Sequence, residues 1–448
     1  MSRPVGLAPP RAVRSPGTLL NRSSRKRLFA AGTAGALRAG SVVFVGTVVA
    51  AGAVYLFQLV AARNLTTAEF GQLSSLLAVL ALATLPFSAL QLAAARGVAG
   101  ADASGSPQMR DALASSWLGL GWLLGLLCGL SLVIGAPIFG GLIGQENVLG
   151  LAIVGVIVLV SIPYAPLMGI AQARSMYGIF AGSGALGAMV RLVAASLLAV
   201  TALLSVNAAL LATLVGALLA ILSAYRVANL LPHIAAIRWG LLRPERRRTA
   251  AMVVGLLSVA SLASLDVIVA QATLSAASAG TIAAAGLVAR AGLYIPSAII
   301  PVLQPRVAAR AARGKSGADI LWRSIAVTAV FGVVFAGGCF YFGQALIDFF
   351  VGGQFRDAAA ILFLYALAMT AVAVGSLQVN YFLSRGDLWV AAPASFAVAF
   401  QVVLLMLFHG SVQAIVVVDL LSGIALVLAC SAGVLFRRQQ HRVRARGV

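Results

Sequence analysis

Apolar runs long enough to cross a bilayer, separated by short polar or charged stretches, organise almost the whole chain. A spanning helix needs about 20 predominantly apolar residues. Runs of that kind, bounded by charge, Gly, Pro or Asn, lie near 39–62, 70–95, 113–136, 149–173, 178–203, 207–229, 250–273, 280–305, 321–343, 358–382, 388–408 and 413–436. The pattern predicts an all-α polytopic membrane protein with about twelve transmembrane helices. The first run is too long, and starts too far from residue 1, for the apolar core of a secretory signal, so it reads as a retained span.

Composition agrees with the pattern and narrows the classes that remain. Of 448 residues, 61% are hydrophobic and 10% charged, with 46 glycines, far from the make-up of a soluble domain. Short connections leave no room for a sizeable soluble enzyme domain. The net charge of +21 would suggest nucleic acid in a soluble protein; here its placement along the chain carries the information, and no nucleic-acid partner is expected.

With the amino terminus in the cytoplasm, 28 of the 32 Lys and Arg residues fall on inner tails and loops. Only Arg63 and Arg356 fall outside, and Arg191 and Arg290 fall within spans. That asymmetry predicts both termini on the cytoplasmic side of the cell membrane. The expected organisation is a disordered basic tail (1–38), an N-terminal six-helix lobe (39–229), a basic cytoplasmic linker (230–249), a C-terminal six-helix lobe (250–436) and a second basic tail (437–448). In the first tail Arg22, Arg25, Lys26 and Arg27 are placed to touch anionic membrane lipid.

The halves carry traces of duplication. At an offset of 209, the stretch from Leu65 through Thr66, Glu69 and Phe70 to Gly71 superimposes on that from Leu274 through Ser275, Ser278 and Ala279 to Gly280. With one residue inserted, Pro86 falls on Pro296, and Ala95-Arg96 on Pro305-Arg306. Each copy reads as a tight outer turn closing on Gly, then a Pro-bearing helix ending at an inner Arg. Six spans per half is even, so the halves keep one orientation, related by an axis along the membrane normal. Two such lobes around a central cavity form an alternating-access architecture.

Charge inside the hydrocarbon is costly and usually faces a cavity or a partner. Arg191 lies near the middle of the fifth span, and the first-half spans contain no Asp or Glu. A guanidinium there either snorkels or holds an anion, for which its planar fork suits phosphate oxygens. Asp266 and Arg290 lie at similar depth on adjacent helices and are placed to pair, as a structural register or as part of a site. Asp266 and Asp419 are the candidates for a coupling ion, since a desolvated carboxylate can become titratable near neutrality.

Softer polar groups accompany these charges. Arg191, Arg290, Tyr55, Gln58 and Gln91 make up the candidate substrate-binding set, with Gln172, Gln271, Tyr294, Gln378, Asn380, Tyr381 and Gln401 in other spans. Proline frees backbone carbonyls, so Pro163, Pro166, Pro296 and Pro301 are candidate hinges or static kinks.

Catalytic chemistry has no foothold. Cys128, Cys339 and Cys430 fall in apolar runs and suggest neither disulfide nor metal site. His233, His409 and His441 are far apart, and no phosphate-binding glycine loop or nucleophile elbow occurs. A membrane-embedded polymerase would need acids in a large outer loop, where only Asp348 and Asp357, beside Arg356, are on offer. The expectation is a protein that is not an enzyme and uses no cofactor or metal.

The stretch Leu265-Asp266-Val267-Ile268-Val269-Ala270, continuing through Gly280 and Gly286 to Ile295-Pro296-Ser297-Ala298 and Pro305-Arg306-Val307-Ala308, resembles the polysaccharide-biosynthesis flippases. These belong to the multidrug/oligosaccharidyl-lipid/polysaccharide (MOP) exporter superfamily. Ala62-Arg63-Asn64-Leu65, running to Glu69-Phe70-Gly71, resembles that family's first outer turn. The resemblance implies a V-shaped, two-lobed, MATE-like bundle that moves a polyprenyl-diphosphate-linked oligosaccharide, or a similar lipid-linked glycan, to the outer leaflet. It also implies partners among polysaccharide polymerases or glycosyltransferases. The alternatives it leaves are a MATE-like cation-coupled exporter of small amphipathic compounds and a peptidoglycan-precursor flippase. The former commonly carries an acid in the first lobe and the latter two further helices, features that this sequence lacks.

Overall fold

The computed structural model describes residues 22–228, 237–293, 307, 310 and 317–446, with side chains from residue 40 through 433 inside those ranges, except 226–228 and 292–293. All described elements are helical. The first half consists of α1 (Arg22–Asn64), α2 (Thr67–Thr84), α3 (Ser88–Ala103), α4 (Pro107–Ile134), the short α5 (Ala136–Leu142), α6 (Val148–Ala173), α7 (Tyr177–Val200) and α8 (Val206–Ala228). The second contains α9 (Trp239–Leu262), α10 (Leu265–Thr273), α11 (Ala276–Ala289), α12 (Ala318–Phe350), α13 (Ala359–Arg385), α14 (Ala391–Leu407) and α15 (Val412–Arg446).

Among the described residues, ten helices are long and apolar enough to cross a membrane, or eleven with α9 and α10 taken as one bent span. The fourteen-residue apolar α11 falls where the eighth span is expected and runs into a short 3-10 turn, Arg290–Leu293; residues 294–305 of that span lie outside the described residues. Large apolar side chains cover the outside of the bundle: Val200 is 87% exposed, Tyr341 79% and Phe340 66%. An apolar surface of this extent requires lipid around it. The chain is a multi-pass membrane protein.

The structure extends several helices beyond the expected spans. α1 runs back to Arg22, into the stretch expected to be a disordered tail; α9 starts at Trp239, so much of the expected linker is helical; α15 continues to Arg446 through the second tail. Arg, Lys, Gln, Leu and Ala abound there, and all are good helix formers.

Packing repeats between the halves. In the first lobe the first span (α1) packs on the fifth (α7), the third (α4) on the fourth (α6), and the sixth (α8) on both fourth and fifth. In the second, the seventh (α9) packs on the eleventh (α14), the ninth (α12) on the tenth (α13), and the twelfth (α15) on both tenth and eleventh. The helix caps repeat as well. Thr66 caps α2 by accepting from the Glu69 N–H, and Ser275 caps α11 by accepting from the Ser278 N–H, at the same offset of 209. Glu69 completes a capping box on Thr66, and Ser278 offers only a hydroxyl in its place.

The two copies of the turn touch. A Cβ on Gly71 would lie 2.8 Å from the Gly280 nitrogen, and one on Gly280 would run into the Thr67 carbonyl. Equivalent residues of two copies meet only near the axis that relates them, so this contact marks the pseudo-twofold. Around it the far end of the molecule, opposite the arginine-rich one, is sealed. Gln354 donates to the Ala62 and Leu65 carbonyls at 2.9 and 3.0 Å, Arg63 donates to the Phe349 carbonyl, and Phe70 meets Phe355 edge to face at 5.6 Å.

Candidate functional site

The seventh span breaks in mid-course. α9 ends at Leu262 and α10 starts at Leu265, at an angle of 49°. No proline lies at the break; side chains from other helices take up the freed carbonyls. Arg290 Nε donates to the Ala263 carbonyl at 3.0 Å, and Gln401 Nε2 reaches the Leu262 carbonyl at 3.5 Å. Such exchange lets a helix break inside a membrane without orphaned backbone groups.

Asp266 sits in the first turn of α10, where the helix dipole favours negative charge. It is fully buried. Arg290 Nη2 donates to both of its oxygens, at 2.9 and 2.8 Å, and to the Tyr365 hydroxyl at 3.0 Å; that hydroxyl in turn donates to Asp266. The fully buried Asp419 carboxyl, from α15, lies beside Asp266 and accepts from Gln401 Nε2 at 2.9 Å. Its side chain is also within hydrogen-bonding reach of the Asp266 carboxyl. Among the described residues, the Arg290 guanidinium is the cation beside these two carboxyls, and it is bound to Asp266 alone.

The first lobe is built differently. Arg191, on α7, places its guanidinium carbon 3.7 Å from the centroid of the Phe57 ring of α1. Among the described residues its Nε and Nη2 are buried without a hydrogen-bond partner. Close packing of α7 on α8 creates the niche: Gly187 and Gly216 abut, and a Cβ on Gly216 would lie 3.2 Å from the Arg191 Cβ. Arg191 and Arg290 belong to different lobes and share none of these partners.

The other candidates disperse. Gln91 donates to Gln172 at 3.3 Å within the first lobe, half-buried Tyr55 meets Phe350 edge to face at 6.5 Å across the lobes, and Gln58 is half-buried on α1. Pro163 and Pro166 lie within the uninterrupted α6, pressed against Gly121 and Gly125 of α4. The bend of the seventh span, at Ala263–Ser264, lies in a different helix pair. Pro296, Pro301 and Tyr294 lie outside the described residues. Tyr365, which ties Arg290 to Asp266, escapes a reading of the sequence because one Tyr in an apolar run carries no distinguishing signal.

A cavity of about 670 Å³ lies between the lobes at the arginine-rich end, walled by α3, α4 and α9. Leu90, Trp117, Leu120, Leu124 and Val253 line it, with Arg243 and Arg246 at its polar side. None of the candidate substrate-binding residues does. Beside it Arg96 and Glu245 form an ion pair at 3.1 Å that joins the lobes.

No family model matches the sequence, and no curated protein matches it. Solved structures do. The chain is similar to an inward-facing multidrug resistance MATE family transporter of the MOP superfamily, at 14% identity and TM-score 0.70, covering 88% of this chain and 95% of that one. It is also similar to the eukaryotic MATE transporter AtDTX14, at 13% and 0.67, covering 92% and 100%, and to an inward-closed lipid II flippase, MurJ, at 14% and 0.64, covering 89% and 87%. The chain therefore has the fold of MATE transporters and MurJ.

Proposed function

We propose that the protein is an alternating-access transporter of the MOP superfamily that moves a polyprenyl-diphosphate-linked oligosaccharide, or a similar lipid-linked glycan, across the cell membrane for surface polysaccharide assembly. The arginine-rich end faces the cytoplasm, in line with the positive-inside bias. The observation that carries the substrate class is Arg191, a permanently charged group in mid-span with no acidic partner and two unsatisfied nitrogens. A diphosphate headgroup supplies the missing charge and acceptors. Arg290 already has its counter-charge and serves the second lobe's polar cluster. Asp266 and Asp419, two buried carboxyls side by side, form the coupling site for a proton or cation.

Replacing Arg191 with Ala is expected to abolish surface glycan, with lipid-linked precursor accumulating and membrane expression unchanged. Surviving export would sink the headgroup role. Coupling is tested in proteoliposomes, where flipping insensitive to both pH and sodium would remove Asp266 and Asp419 from it.

The likeness to MATE transporters, together with a buried acid pair, favours one other reading: cation-coupled export of small amphipathic compounds. It predicts drug sensitivity on deletion without accumulation of lipid-linked sugar.

A further inference from the structure

We infer that the cavity between the lobes at the arginine-rich end is a resident site for an anionic phospholipid of the adjoining leaflet. This stands apart from the transport reading, since it requires only that the chain sits in a bilayer. The size, about 670 Å³, falls within the range of small-molecule sites. Its wall runs along α9 from Trp239 to Val254, about 22 Å at 1.5 Å per residue, the length of an extended hydrocarbon segment. Polarity is graded along that line. Trp239, 60% exposed, stands with the exposed Arg243 and Arg246 at one end, and the lining toward Leu124 and Val253 is hydrocarbon.

That gradient matches a phosphate head on an acyl chain. Arginine forks bind phosphate oxygens, and an indole takes the boundary position between headgroup and hydrocarbon. Thr249, 7% exposed, lines the cavity about one turn inward from Arg246, between its charged and its hydrocarbon ends. Seated there, the lipid wedges α9 against α3 and α4 beside the Arg96–Glu245 pair, and so occupies the seam along which the lobes meet.

Trp117 and Trp239 make the site readable by fluorescence. The full chain is placed in phosphatidylcholine nanodiscs containing a rising fraction of phosphatidylglycerol brominated on its acyl chains. The signal from the cavity is the emission lost in the Trp117→Phe/Trp239→Phe variant. Quenching of that component is expected at mole fractions roughly tenfold lower than with brominated phosphatidylcholine, the scale of one or two basic side chains at an anionic surface.

Arg243→Gln/Arg246→Gln should erase the preference, whereas Arg247→Gln, an exposed arginine outside the cavity, should keep it. Val253→Phe, which fills the hydrocarbon end and leaves the charges intact, should also abolish the quenching. Equal quenching by both lipids, or equal loss in Arg247→Gln, overturns the site in favour of diffuse surface charge. Displacement by millimolar inorganic phosphate overturns the lipid as occupant. Stoichiometric displacement by polyprenyl diphosphate assigns the cavity to cargo and overturns the resident phospholipid.

Discussion

Arg191 and Arg290 are the same side chain in two halves that pack alike, yet among the described residues one has no acidic partner and the other is bound to a carboxylate. Arg290 closes a network in which Asp266, Tyr365 and the Ala263 carbonyl absorb its donors. Arg191 rests on the Phe57 ring with buried nitrogens unpaired. Neighbours decide between a cation that holds a structure and one that is held in reserve. The duplicated scaffold supplies equivalent positions for helices, and divergence of a few polar residues has given the lobes different chemistry: an acid pair in the second, an unmatched base in the first.

The comparison breaks most visibly through the engaged arginine. Arg290→Ala leaves two buried carboxyls without their cation and is expected to cost about 3–5 kcal/mol, read as a large fall in thermal or denaturant midpoint. Asp266→Asn in the same chain should recover part of that loss. A silent Arg290→Ala would mean that the network is ornamental.

Arg191→Ala should behave in the opposite way. It loses a cation–π contact worth about 1–2 kcal/mol but also removes unsatisfied donors, so stability should change by no more than that while transport disappears. A stability loss as large as that of Arg290→Ala would erase the distinction between the two lobes.

Gly280→Ala tests the seam at the pseudo-twofold. Overpacking against the Thr67 carbonyl should destabilise the sealed far end by about 1–3 kcal/mol. Faster thiol labelling of a cysteine placed at the buried Leu65 would report the opening, and unchanged labelling would count against it. The smallest effect is expected from Gln401→Leu, which deletes neutral donors to Asp419 and the Leu262 carbonyl and should cost about 1 kcal/mol in the same unfolding assay.

Much of the bundle was legible in the residues alone. The described helices fall on the expected spans, and the offset of 209 that aligned Gly71 with Gly280 reappears as a physical contact between them. The break in the seventh span was not legible. Ser261, Ser264 and Asp266 hint at polarity there, but no Pro or Gly marks the position, because the freed carbonyls are satisfied by Arg290 and Gln401 from other helices. Tyr365 and the cavity at the arginine-rich end went unseen for the same reason, since each is defined by residues distant in the chain.

From the chain by itself follow the membrane setting, the run of apolar spans, the lopsided arginines and the identity of the rare intramembrane charges. These depend on the transfer of each side chain between water and hydrocarbon, a cost paid residue by residue and therefore written along the sequence. The Asp266–Arg290 pair could be read from the sequence, but the gathering of Tyr365 and Asp419 around it, and the seat of Arg191 on Phe57, were decided by tertiary structure. Lipid and protein interior are equally apolar, so hydrophobicity does not tell a span which face to turn inward. Close packing of small residues and the need to satisfy buried polar groups make that choice, and both act only once the helices are side by side.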